Sequence, residues 1–193
     1  MGRIVISENV SLDGIVQDPT GDEGFKFGGW FDQMSGKDRE EWAKVEFQEA
    51  METAAWLIGR GTYAWFTERW AARPGEWADR LRSIPKFIVS STLEDATEWT
   101  NSTVLTGDVI EEVSKLKQNV DGDILVFASG PLVQTLMEHD LIDELRLMTH
   151  PFALGTGERL FRETSDMKPL RRVDLRTIGD NLALLTYQPV RDA

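Results

Sequence analysis

Residues 54–70, AAWLIGRGTYAWFTERW, decide how the rest of the chain is read. Ala55 to Ile58 is an apolar run of strand length that breaks at Gly59, and from about Thr62 to Arg69 the residues suit a helix. The junction is Gly59-Arg60-Gly61-Thr62. A glycine at a strand end lets backbone come close to a ligand. The helix start that follows offers N–H groups without internal partners and the positive end of the peptide dipoles, which together suit a phosphate. Arg60 adds a guanidinium able to hold a phosphate through two parallel hydrogen bonds. The junction therefore reads as a dinucleotide-phosphate site. The alternative is an ordinary strand-to-helix turn whose arginine points at water.

The pattern occurs again further on. Ile124 to Ala128 (ILVFA) is an uninterrupted apolar run, as in a central strand covered on both faces. Ser129-Gly130-Pro131 follows, with proline suited to a first helical turn and Leu132, Val133, Leu136 and Met137 supplying a buried face. Two such junctions at strand C-termini are what a dinucleotide needs across an open α/β sheet. Neither is a GxGxxG fingerprint, so an ordinary Rossmann half is not indicated.

Outward from these junctions the periodicity predicts strands at Arg3–Val10, Lys86–Ser90, Thr103–Leu105, Glu144–Thr149, Arg172–Ile178 and Leu182–Tyr187. Helices are expected from Ser35 to Ala54, over Glu76 to Arg82, and from an Asp108 cap to about Asn119. Ala43, Phe47, Ala50, Met51 and Ala54 would form the apolar stripe of the first helix. Gly179-Asp180-Asn181 joins the last two strands as a hairpin. Alternating β and α followed by a β-rich end predicts a single α/β domain, residues 1–193, with a largely parallel sheet and an antiparallel C-terminal edge.

Several loops carry chemistry-bearing residues. Ser90-Ser91-Thr92 at a strand end can bind phosphate or ribose oxygens, or cap the next turn. Asp13, in Ser11-Leu12-Asp13-Gly14, can orient a hydroxyl or relay a proton, or only make the turn. The aromatic loop of Phe25, Phe27, Trp30 and Phe31 can cover a ligand, with Trp30 over a ring, or fold back on the core. Glu158 can contact substrate or face solvent. His150 is expected to pack or cap, and His139 to lie on the surface near a helix end.

Composition bounds the function. The chain has 193 residues and a net charge of −12, with no run of basic residues of the kind a nucleic-acid binder presents. A polyanionic ligand would need a local cluster of positive groups against that field. There is no cysteine, which removes disulfides, thiolate metal sites and cysteine nucleophiles together, and no metal centre is expected. The apolar runs are too short for a signal peptide or a membrane span, so the expected location is the cytoplasm. Seven tryptophans, all in the first 100 residues, can line a wide, partly wet cavity or simply pack a core.

In order, SLDG, GRGTYAWF, KFIVSST, FASGPLVQTLMEHDLIDEL and HPFALGTGERLF resemble the dihydrofolate-reductase-like superfamily. They look most like the branch of the riboflavin-biosynthesis reductase domain (RibD C-terminal domain) in its stand-alone form, over Arg3 to about Tyr187. The resemblance implies a three-layer α/β/α fold with a mixed sheet and an NADPH site between its halves. Carried over by motif, Gly59, Arg60, Gly61 and Thr62 would hold the pyrophosphate and the adenosine-side phosphate. Ser90, Ser91 and Thr92 would sit by the 2′-phosphate or adenine, and Gly107 beside the adenine loop. Ala128, Ser129, Gly130, Pro131 and Leu132 would pack on pyrophosphate and nicotinamide. Where related sequences often carry Gly-Ser or Gly-Gly, this chain has Ala128-Ser129. On the substrate side the candidates are Asp13, also the catalytic candidate, with Trp30 and Glu158.

The expected activity is NADPH-dependent hydride transfer to a small heterocyclic or sugar-linked substrate, in the manner of 5-amino-6-(5-phosphoribosylamino)uracil reductase. The competing expectation is a catalytically inactive nucleotide-binding or interaction module on the same fold. Zinc deaminase chemistry is excluded by the lack of cysteine. A homodimer is expected, because the family branch that the chain resembles commonly pairs through its β-rich C-terminal part, where exposed edge strands would need covering.

Overall fold

The computed structural model describes residues 1–191. Its elements, in chain order, are β1 (Arg3–Ser11), α1 (Gly36–Glu52), β2 (Ala55–Gly59), α2 (Arg60–Trp70), α3 (Glu76–Ser83), β3 (Lys86–Val89), β4 (Ser102–Leu105), α4 (Val109–Asn119), β5 (Asp123–Val126), α5 (Gly130–Glu138), β6 (Glu144–His150), β7 (Leu170–Ile178) and β8 (Leu182–Pro189). Together these make a mixed α/β fold. The chain divides into two compact units, one of Met1–Val5 with Phe47–Asp143 and the other of Ile6–Glu46 with Glu144 onward, so both β1 and α1 are shared between them. Among the described residues no helix is long and apolar enough to cross a membrane.

In the first unit the strand order runs β4-β3-β2-β5 and on to the start of β1. β2 pairs in parallel with β3 and with β5, and β3 pairs in parallel with β4. The strands β2 and β5, apolar apart from Asp123 at the start of β5, sit inside this array, as expected for strands covered on both faces. Its core joins Val5, Ile58, Leu81, Ile84 and Ile88 to Trp56 and Trp99, with Phe66 and Phe127 packed alongside. Trp56 meets Phe127 edge-on at 4.6 Å between ring centroids, and Phe66 stacks on Trp99 at 6.0 Å. Trp56 and Trp99 are thus core residues.

Lys86 is fully buried in the same unit. Its ammonium donates to the carbonyls of Leu81 at 2.8 Å and Ile84 at 2.7 Å, closing the C-terminal end of α3, and lies 4.5 Å from the centre of the Trp99 ring. Burial pushes its pKa down to about 8, while the carbonyls and the ring face favour the charged form at neutral pH.

In the second unit the remainder of β1 is followed by β6, β8 and β7. β6–β8 and β8–β7 are antiparallel, giving the expected C-terminal hairpin with an irregularity between Arg172 and Asp174. The core here is Met34, Met148, Ile178, Leu182 and Leu184, packed by Phe31, Trp42 and Val45. The hairpin turn is fastened to α1: the buried Asp38 carboxylate accepts from Asn181 Nδ2 at 2.8 Å and from the main-chain N–H groups of Asp180 and Asn181 at 2.6 and 3.1 Å. The Asn181 amide and these N–H groups hold the Asp38 carboxyl well below the usual carboxylate range.

Three sequence expectations change. The buried side of α1 follows the predicted stripe only in part: Ala50 is buried and Phe47 packs on Trp77, but Ala43 and Met51 are exposed while Trp42 and Val45 turn inward. α2 begins at Arg60 rather than Thr62, because Gly59 in an extended conformation serves as its N-cap. The fifth strand stops at Val126, before Ala128, whose φ of +50° takes the chain out of the sheet.

Candidate functional site

The expected nucleotide residues all lie in the first unit, at the C-terminal ends of parallel strands. In the β2–β3 pairing Gly59 stands opposite Val89, and in the β3–β4 pairing Val89 stands opposite Leu105. Arg60, Ser90 and Thr106 therefore leave the sheet on one line. In the β2–β5 pairing Trp56 is opposite Leu125, and beyond the end of β5 the Ser129 hydroxyl lies 3.0 Å from Gly59 N–H. At about 4.8 Å per strand interval the four ends span roughly 14 Å. Residues 59–62, 90–92, 107 and 128–132 thus gather along one edge, where α/β sheets bind ligands.

Two helices open toward this edge without side-chain caps. Gly59 precedes α2 and Ser129 precedes α5, and neither supplies a capping hydrogen bond. α4 differs, since the Asp108 carboxylate accepts from the main-chain N–H groups of Ile110 and Glu111. Arg60 is exposed and has no ionic or hydrogen-bonding partner among the described residues. The fold itself does not require glycine at 59 or 61. Gly59 has φ −79°, a side chain there would touch only Ser129 at an ordinary 3.6 Å, and Gly61 faces open space. Room is therefore left on the outer side of this turn, where a ligand phosphate would approach.

The hydroxyls divide into engaged and free. Ser90 Oγ accepts from the main-chain N–H groups of Thr92 and Leu93 at 3.2 and 3.0 Å, the turn-capping alternative, while Ser91 and Thr92 are exposed. Ser129 Oγ accepts from Gly59 N–H at 3.0 Å and lies 3.0 Å from Thr62 Oγ1, which in turn donates to the Ala128 carbonyl at 2.9 Å. Both Thr62 and Ser129 are buried. Their side chains hold the two junctions to each other, so what these two positions offer a ligand is main-chain N–H. At Gly107 an added Cβ would come within 3.0 Å of the Glu112 side chain, which would have to give way.

The expected substrate-side residues lie in the second unit. The Asp13 carboxylate accepts from Ser11 Oγ at 2.7 Å and from the N–H groups of Gly155 at 2.7 Å and Leu154 at 3.1 Å. These donors lower its pKa to about 2, so at neutral pH it is a fixed anion that joins two loops, and a proton relay is the less suitable of its two expected roles. Trp30 is 3% exposed, with its indole N–H on the Gln17 carbonyl at 3.0 Å. It packs edge-on against His150 at 4.9 Å and cannot offer a free face to a ring. The aromatic loop folds back in part: Trp30 is buried and Phe31 packs on the core, while Phe27 stays exposed. Glu158 is exposed and pairs with Arg162 at 3.0 Å, and its N–H donates to Gln17 Oε1 at 3.1 Å. Gln17, which sequence reasoning did not single out, therefore contacts both Trp30 and Glu158.

A second group was also missed. Asn9 Oδ1 accepts the Trp42 indole N–H at 2.8 Å and faces His150 Nε2 at 3.0 Å, and its amide nitrogen reaches Glu46 at 3.4 Å. Only Trp42 and Glu46, four apart on α1, share a local pattern that could have drawn attention to them. His150 is fully buried, as expected for packing, and burial lowers its pKa to about 4. His139 is exposed at the end of α5, also as expected. No group of acidic or histidine side chains among the described residues is arranged to hold a metal ion.

Comparison with known proteins bears on the fold and the family. Over 108 residues the chain is 32% identical to the uncharacterized protein YyaP of Bacillus subtilis (strain 168), covering 55% of this chain and 56% of YyaP. It is 24% identical to the uncharacterized protein YwjB of the same organism, over 94% of this chain and 95% of YwjB. Among solved structures, a Shewanella sp. PV-4 protein provisionally assigned to riboflavin biosynthesis superposes with TM-score 0.73 at 20% identity, covering 98% of this chain and 99% of that one. Dihydrofolate reductase from Enterococcus faecalis, complexed with NADP(H), gives 0.60 at 12% identity over 97% and 96%. A Thermotoga maritima diaminohydroxyphosphoribosylaminopyrimidine deaminase/5-amino-6-(5-phosphoribosylamino)uracil reductase gives 0.62 at 15% identity, covering 98% of this chain and 57% of that one. These structures share the dihydrofolate-reductase-like fold. The sequence profile of the RibD C-terminal domain matches residues 3–184, from the start of β1 into β8, and the chain belongs to that family.

Proposed function

We propose that this protein is an NADPH-dependent reductase acting on a small heterocyclic or sugar-linked substrate. The observation that carries this reading is the register that brings the ends of β2, β3, β4 and β5 to one edge beside two helix starts without side-chain caps and an Arg60 with no partner among the described residues. The first-turn N–H groups of α2 and α5 would hold the pyrophosphate. Arg60, with the exposed hydroxyls of Ser91 and Thr92, would hold the adenosine 2′-phosphate, and Gly107 would lie by the adenine. Ala128, Gly130, Pro131 and Leu132 would pack against the nicotinamide side. NADPH, when bound, supplies the hydride; the chain's own residues orient and shield. In the second unit Asp13 holds its loop to residues 154–155, and with Trp30, Gln17 and Glu158 it would shape the substrate side.

The first substrate to try is 5-amino-6-(5-phosphoribosylamino)uracil, after the reductase activity of the Thermotoga maritima fold neighbour. A cytoplasmic homodimer is part of the same proposal. Pairing of two copies is supported by β7, which among the described residues is an edge strand paired only with β8 and leaves Val173 and Leu175 exposed.

The test is titration with NADPH, followed by quenching of tryptophan fluorescence, with NADH as control. Saturable, NADPH-selective binding followed by oxidation with a pyrimidine or pterin substrate supports the reductase. Binding without turnover of any candidate makes the protein a nucleotide-binding module, and no saturable binding of either nucleotide sinks the proposal.

A further inference from the structure

The hydroxyls of Thr62 and Ser129 are fixed in direction by their neighbours. Gly59 N–H can only donate, so Ser129 Oγ accepts from it at 3.0 Å. The Ala128 carbonyl can only accept, so Thr62 spends its one hydroxyl proton there, at 2.9 Å. The remaining 3.0 Å contact must then be Ser129 O–H donating to Thr62 Oγ1. The result is a one-way chain: Gly59 N–H to Ser129, Ser129 to Thr62, Thr62 to the Ala128 carbonyl. Every donor and acceptor in it is used once.

Two features show what this chain holds in place. Ala128 has φ +50°, a conformation costing a non-glycine residue on the order of 1 kcal/mol. Thr62 grips the carbonyl of that strained residue. In addition, Ser129 occupies the N-cap position of α5 but turns its hydroxyl away to Thr62, so the first turn of α5 keeps its N–H groups at Gly130 and Leu132 uncapped; Pro131 has none.

We propose that Thr62 and Ser129 are a positioning pair. Their hydroxyl chain sets the separation and orientation of the two uncapped helix starts, so that N–H groups from α2 and from α5 converge on one diphosphate-bridged ligand. This rests on the nucleotide-binding reading above and assigns these two residues a role through the backbone, with no side-chain contact to the ligand.

The experiment uses the full chain. NADPH affinity is measured by fluorescence titration for the wild type, Thr62→Val, Thr62→Ser, Ser129→Ala and the double variant Thr62→Val/Ala128→Gly. Exchange of the Gly59 amide is followed by NMR without nucleotide. Thr62→Val is expected to weaken NADPH about tenfold, the equivalent of one lost hydrogen bond, and to speed Gly59 exchange. Thr62→Ser keeps the hydroxyl and stays within about threefold of wild type. The double variant regains most of the lost affinity, because glycine holds φ +50° without strain. Should Thr62→Val not fold, Ser129→Ala gives the same readouts. Wild-type binding that is unchanged in both Thr62→Val and Ser129→Ala overturns the positioning role and leaves the nucleotide reading standing. A wild type that binds no NADPH overturns both.

Discussion

His150 Nε2 lies 3.0 Å from Asn9 Oδ1, and this pairing leaves the buried ring a single tautomer. The Trp42 indole can only donate and meets the same oxygen at 2.8 Å, while the Glu46 carboxylate faces the Asn9 amide nitrogen. Asn9 therefore has one orientation, and His150 carries its proton on Nε2. Its Nδ1 is buried without a partner among the described residues.

A neutral buried histidine makes stability depend on pH. With the folded pKa lowered to about 4 from 6.5, the unfolded chain takes up the proton first as pH falls. The contribution of His150 is complete above pH 6.5 and is lost as pH falls toward 4, by about 3 kcal/mol at 1.36 kcal/mol per unit. Urea unfolding at several pH values across this window should show the slope in the wild type and a flatter line in His150→Phe. Equal slopes would remove His150 as the cause.

Asp38 should matter at lower pH. Its carboxyl is held below the usual range by Asn181 and the turn N–H groups, so its contribution is present above about pH 4 and lost as pH falls through the depressed value. Asp38→Asn is expected to cost about 2 kcal/mol at neutral pH, as for loss of charge-assisted hydrogen bonds, and to loosen the β7–β8 turn. Thermal unfolding, with amide exchange at Asp180 and Asn181, reads both effects.

Lys86→Met keeps the length of the side chain but removes the donor to Leu81 and Ile84. Two buried carbonyls at the end of α3 are then left short of a partner, and a loss of about 3 kcal/mol is expected in urea unfolding. Little change would mean that the apolar stem, rather than the ammonium, holds this corner.

Arg60→Ala tests the ligand rather than the fold. Because Arg60 is exposed and has no partner among the described residues, stability should stay within about 0.5 kcal/mol of wild type. NADPH affinity should fall by about 1–3 kcal/mol, as for a lost charge-assisted contact, with NADH less affected. An unchanged NADPH affinity removes Arg60 from the site.

The elements carrying the expected nucleotide residues were legible because their cues are local. Apolar runs, glycine breaks and Pro131 locate β2, α2, β5 and α5 to within a few residues. The start of α2 was missed by two residues because Gly59 caps it without a side chain that would mark the boundary. What could not be read are the long-range pairs. Asp13 with Gly155, Asp38 with Asn181 and Asn9 with His150 are each more than 140 residues apart in sequence, and no periodicity encodes such a meeting. The duties of Thr62 and Ser129 were hidden for the same reason: a hydroxyl beside a glycine turn looks the same whether it meets a ligand or another hydroxyl 67 residues away.

Asp108 has a bearing on which way round a ligand can lie. Along the edge formed by β4, β3, β2 and β5, the helix start beside β4 is already occupied by that carboxylate, and those beside β2 and β5 are not. An anion is thus repelled at one end of the row and welcomed at the other. A molecule with phosphates in its middle is therefore seated with those phosphates toward β2 and β5, and the part of it that reaches β4 meets a helix start whose first N–H groups are already taken.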